Sequence, residues 1–147
     1  MPGIVCAVRG GPASQPTIAK AIAFAKTTGL PLYFLYVVNV DFLTHTPTSR
    51  VHTISQEMHQ MGEFILLMAQ EASARQGISA EGVVRHGSVG EELIGLCHEL
   101  QADYLVLGKP KVEQEDTVFT EDRLRDFVVR TEEQTGAIVV FPVGEIQ

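Results

Sequence analysis

The feature that most limits the fold of this chain is an alternation. Short apolar runs, GIVCAV at 3–8, PLYFLYVV at 31–38, AEGVVRH at 80–86, DYLVLG at 103–108 and AIVVFPV at 137–143, are separated by longer stretches of helical period. Strands that alternate with helices are joined by crossovers, and a crossover returns each strand parallel to the last in one sheet. Four of the five runs are apolar almost throughout, as strands are when helices cover both faces of a sheet. The run at 80–86 is more polar and belongs at an edge. With 147 residues, one ordinary domain spanning 1–147 is expected. The fold class is therefore α/β, a three-layer, doubly wound, five-stranded parallel sheet of the flavodoxin-like type.

The intervening segments read as four helices. The first covers 13–28 and stops at Gly29 before Pro31, a glycine and proline ending that helix C-termini favour. In the second, Val51, Ile54, Met58, Met61, Ile65, Met68 and Ala72 recur at three- and four-residue steps, which predicts a core-facing stripe. That helix ends near Gly77. The third opens on SVGEEL, where Ser88 and Glu91 have the spacing of a capping box, and buries Leu93, Ile94, Leu96, Cys97 and Leu100. The fourth, 121–135, turns Leu124, Phe127, Val128 and Thr131 inward and ends at Gly136.

Charge and residue chemistry exclude several functions. A net charge of −7 argues against binding nucleic acid or an anionic membrane, both of which need a basic surface. The amino terminus has no basic segment followed by a long apolar one, so a cytoplasmic location is expected. Cys6 and Cys97 fall in a strand and an amphipathic helix, where each reads as a small core hydrophobe. His45, His52 and His59 repeat every seven residues, but two helical turns separate them by ~10 Å, too far to share one ion. They read as surface residues, His98 likewise, and no metal site is expected. HGSVG at 86–90 has His86 where a nucleophile elbow needs glycine, so Ser88 reads as a helix cap and the chain as no enzyme.

Segments 39–49 and 109–120 follow strand ends, where the ligand crevice of an open α/β sheet lies. Together, IVCAV, HGSVGEELIGLCHELQADYLVLG and AIVVFPV resemble the universal stress protein (UspA-like) family, and the resemblance runs through nearly the whole chain. It implies strand order 3-2-1-4-5, the adenine nucleotide alpha hydrolase-like arrangement. It also implies a nucleotide crevice near Ala7, Val8, Arg9, Val37, Leu107, Gly108, Lys109 and Lys111.

The ATP-binding members carry glycine, two residues, glycine, nine residues, then glycine and serine or threonine. Glycines let backbone N–H groups approach phosphate, and a helix N-terminus adds donors. Here Gly108 is followed by Lys111, Glu121 and Asp122 at the later positions, and the segment GKPKVEQEDTVFTED holds one glycine and five acids. Like charges ~4 Å apart repel by ~4 kcal/mol at an effective dielectric of 20, enough to offset several phosphate hydrogen bonds. Arg9 stands where nucleotide-binding relatives have aspartate. The crevice therefore reads as vestigial, in a non-catalytic, dimeric stress-response protein without a resident cofactor and with a further protein partner.

Within that reading, Arg9, Lys109 and Lys111 either pair with Glu113, Glu115 or Asp116 or leave a solvated loop. The alternative is a nucleotide, AMP or ATP, or a small anion held by Arg9 and the crest of the fourth strand, since arginine suits bidentate phosphate contact. The apolar last strand falls at a sheet edge in this order, and an edge left bare templates aggregation. Pairing about a twofold axis covers it, as in the family, which predicts a homodimer through Ile138, Val139, Val140, Phe141, Pro142 and Val143. The terminal GEIQ folding over the edge is the other way to protect it.

Overall fold

The computed structural model describes residues 3–108 and 121–142, except for the side chains of Ala13, Glu121 and Asp122. Lys109, Lys111, Glu113, Glu115, Asp116, Val143 and GEIQ lie outside the described residues. The strands are β1 (Ile4–Ala7), β2 (Leu32–Val38), β3 (Ala80–His86), β4 (Tyr104–Val106) and β5 (Ile138–Val140), all parallel, in the order β3-β2-β1-β4-β5. The helices are α1 (Gln15–Thr28), α2 (Thr48–Arg75), α3 (Val89–Leu100) and α4 (Glu121–Thr135). The expected fold class and strand order are those observed. No helix among the described residues is long and apolar enough to cross a membrane.

Register follows from the period of two along a strand. Ile4 is paired with Leu32 on one side and Tyr104 on the other. Ile4 and Cys6 consequently point with Leu32, Phe34 and Val106 into a core closed by Ala21, Ile22 and Ala25 of α1 and Leu66 and Ala69 of α2. Val5 points the other way, with Leu35 and Leu105, into a core closed by Leu93, Leu96 and Cys97 of α3 and Phe127 of α4. Burial on both faces explains why these runs read as apolar throughout. At the sheet edge, Arg85 of β3 reaches across to α3, 2.6 Å from Glu99 and 3.8 Å from Glu92. The hydrogen bond to Arg85 holds the Glu99 carboxyl below its ordinary range.

Three helix ends are as read. Gly29, Gly77 and Gly136 take φ of 73°, 78° and 78°, a left-handed conformation that glycine adopts without a Cβ clash. Leu124, Phe127 and Thr131 are buried on the inner face of α4, and the Thr131 hydroxyl donates to the Phe127 carbonyl at 2.7 Å. Two expectations need correction. Ser88 occupies the N-cap position of α3 in an extended conformation, but its side chain makes no capping bond. The α2 stripe is rotated as well. Met61 and Met68 are 60% and 57% exposed, while Gly62, Leu66, Ala69 and Ser73 are buried.

The rotation of α2 has a steric reason. Gly62 lies against the Tyr36 ring of β2, where an added Cβ would stand 2.4 Å from Cδ1. A helix packs closest where its residues are smallest, so Gly62, Ala69 and Ser73 set the contact line and the larger methionines turn outward. Gly62→Ala should therefore destabilise. Helix propensity favours alanine by ~1 kcal/mol, and overpacking costs ~1–3 kcal/mol, leaving a net loss of up to ~2 kcal/mol measurable by urea unfolding. A gain in stability would show that α2 does not pack through this line.

Candidate functional site

Between β1 and β4 the strand order reverses, and a crevice lies there beyond the carboxyl ends of β1, β2 and β4. A cavity of about 350 Å³ occupies it. Its floor is Ala7, Val8, Leu35 and Val37 from β1 and β2, with Leu107 and Gly108 beyond β4. Val89 and Leu93 of α3 and Leu124 of α4 close one wall, and Tyr36 with Met58 of α2 closes the other. Arg9 and Gly10 form the rim after β1, and Asn39 the rim after β2. Of the expected crevice residues, Ala7, Val8, Arg9, Val37, Leu107 and Gly108 all meet in this one cavity.

The loop after β1 is shaped by its sequence. Gly11 takes φ 92°, a value that L side chains rarely adopt. Ser14 folds the turn back on itself, since the Arg9 N–H donates to the Ser14 hydroxyl at 3.1 Å and that hydroxyl donates to the Arg9 carbonyl. Gly10 passes close to Ile65, whose Cδ1 would be 3.0 Å from an added Cβ. These contacts fix the point from which Arg9, itself exposed, enters the rim. Gly108 needs its missing side chain too, because a Cβ there would be 2.9 Å from the Thr17 hydroxyl, which is buried.

The described lining of the crevice is mostly apolar. Arg9 is the one charged residue among its described lining residues, with Tyr36 and Asn39 as the polar side chains. Sequence reasoning missed Leu35, Tyr36, Asn39, Met58, Val89, Leu93 and Leu124. The parity of β2 carried a usable signal for Leu35, two residues before Val37. Met58 and Leu124 read as inward-facing on their helices, but where those helices settle against the strand ends is a tertiary matter. A second, larger groove of about 680 Å³ runs between α1 and α2 and shares Arg9 and Gly10 with the crevice.

Cys6, next to the crevice residue Ala7, and Cys97 are both buried, and burial pushes the Cys6 thiol far above its ordinary value and the Cys97 thiol up to about 12. A thiol pKa raised by folding contributes stability that is complete below the unfolded value of 9.0 and is lost as pH climbs through the folded value. The unfolding free energy should accordingly fall as pH rises from about 9 towards 12, by up to roughly 1.4 kcal/mol per pH unit for each thiol. Neither thiol should react with a disulfide reagent at pH 8 until the chain is unfolded. Rapid labelling of the native protein would contradict both expectations.

The sequence pattern of the universal stress protein family matches residues 2–125. Among solved structures, universal stress protein UspA from Lactobacillus plantarum superposes with a TM-score of 0.77 at 16% identity, over 96% of this chain and 97% of that one. A universal stress protein in complex with cAMP gives 0.68 at 16% identity, over 95% of each chain. The universal stress protein from Archaeoglobus fulgidus in complex with dAMP gives 0.63 at 15% identity, over 96% and 97%. Comparison with curated proteins gives no match.

Proposed function

Because the chain belongs to the universal stress protein family, we propose that it is a non-catalytic, dimeric regulatory protein that does not bind ATP in the family manner. Support comes from the lost glycines, since Lys111, Glu121 and Asp122 stand at the later phosphate-loop positions. The one charged residue among the described lining residues of the crevice is a cation, Arg9.

One observation favours a ligand reading beside this. The crevice keeps apolar walls of a size that suits a base, with a single guanidinium at its rim. A nucleoside monophosphate matches that pairing, with the base between Val37, Leu107 and Val89 and a short anion meeting Arg9 bidentately. Two relatives of the same fold were solved with the monophosphates cAMP and dAMP. A calorimetric titration with adenosine, AMP and ATP, with and without magnesium, tests both parts. AMP should bind at least roughly ten-fold tighter than ATP, and Arg9→Ala should cost about ten-fold for AMP while sparing adenosine, the range expected of a hydrogen bond to a charged group. Tighter binding of ATP would overturn the proposal. Binding of none of the three would leave regulation through protein contacts alone.

The dimer rests on the exposed edge. Among the described residues β5 pairs only with β4, and Ile138 is 53% exposed with Val139, Val140 and Phe141 half-buried. Pro142 is buried. Glu132 of α4 meets the Val139 N–H at 3.4 Å, a long contact that a partner strand's carbonyl would replace. Light scattering at micromolar concentration should give twice the 16.1 kDa of one chain, and Ile138→Lys should halve the mass by placing a charge on the edge. A wild-type mass of one chain would remove the dimer.

A further inference from the structure

His59 and His86 lie 27 residues apart in sequence, yet the fold sets His59 Nδ1 2.8 Å from His86 Nε2. The ring planes differ by 17° with centroids 5.1 Å apart, so the two imidazoles meet edge to edge with nitrogens facing each other. Each ring is also held by its far nitrogen. Glu63 Oε1 is 3.5 Å from His59 Nε2, one helical turn along α2, and the Ser55 hydroxyl is 3.4 Å from His86 Nδ1. Position and support come from different elements, since α2 carries Ser55, His59 and Glu63 while His86 closes β3 in register with Val38.

We infer that this pair is a binding site for a divalent late transition-metal ion such as Zn2+ or Ni2+, coordinated by His59 Nδ1 and His86 Nε2. Neutral imidazole is a favoured ligand for these ions. At bond lengths of about 2.0–2.1 Å, the two nitrogens need to stand about 2.9 Å apart for a right-angled site and about 3.3 Å for a tetrahedral one. The observed separation is within a few tenths of an ångström of the first, and both rings reach solvent, so they can tilt to bring their lone pairs onto one ion.

Protons balance without loss. In the metal-free pair one ring N–H donates to the facing nitrogen; on binding, each ring keeps its single proton on the far nitrogen, beside the Ser55 hydroxyl for His86 Nδ1 and near the Glu63 carboxylate for His59 Nε2. A carboxylate or hydroxyl behind a ligating imidazole is the usual device for fixing its tautomer and orientation. Among the described residues no three His, Cys, Asp or Glu side chains gather at one point, so the protein supplies two ligands and water completes the shell. The earlier expectation of no metal site paired His59 with His52; His59 instead faces a residue on another element.

Titration of the untagged protein with ZnCl2 and NiCl2 by calorimetry, in a buffer that does not chelate, tests the inference. One equivalent should bind with a dissociation constant of about 10 µM or tighter, and His59→Ala and His86→Ala should each weaken it at least roughly ten-fold. His52→Ala, at an exposed site elsewhere on α2, should leave it unchanged. Zinc should also raise the unfolding temperature of the wild type and not of either single variant, because the ion ties α2 to β3 only in the native state. Binding weaker than about 100 µM, or binding that survives both variants, would overturn the assignment. Since both rings are exposed, circular dichroism is expected to show the variants folded.

Discussion

Everything in this structure depends on burying β1 from both sides. Ile4, Val5 and Cys6 are each fully buried, and their backbone is paired to β2 on one side and β4 on the other. A parallel strand in that position exposes no edge and no face, so helices must cover it above and below, and right-handed crossovers supply them. The chain goes from β1 outward to β3 on one side, then returns across the middle to β4 and β5. That return opens the crevice. Consecutive connections leave β1 and β4 in opposite directions, and an open α/β sheet has its crevice at that point.

The crevice inherits its chemistry from the same constraint. Residues at the ends of fully buried strands are apolar because the strands are, so Ala7, Val8, Val37 and Leu107 give the crevice an apolar floor. Phosphate recognition instead needs loops whose backbone can approach an anion, and that requirement falls on separate residues. Here the strand ends line an apolar crevice with Arg9 at its rim, and the sequence after β4 is rich in acids.

How far the molecule was legible differs by the kind of information. The α/β class, the edge position of β3, the glycine stops at Gly29, Gly77 and Gly136 and the inner face of α4 were readable, because each depends on local period or on one residue's backbone freedom. The strand order and the crevice at Arg9, Val37 and Gly108 came from resemblance, which carries topology that period alone does not. The α2 stripe was misread. Periodicity weights large apolar residues, so it chose Met61 and Met68, whereas close packing against Tyr36 selected the small ones at Gly62 and Ala69. Ser88 shows a similar limit, since a capping motif fixes where α3 begins and not whether the hydroxyl turns inward.

By itself, then, the sequence determined the alternation of strands and helices and the glycine helix ends, because these are written within a few residues of one another. Only the tertiary structure decided which face of α2 meets the sheet, that Met58 and Leu124 wall the crevice, and that His59 meets His86. Those outcomes depend on how far apart rigid elements settle when their side chains pack. Such distances are a property of the assembled core, in which residues 27 positions apart come within 2.8 Å.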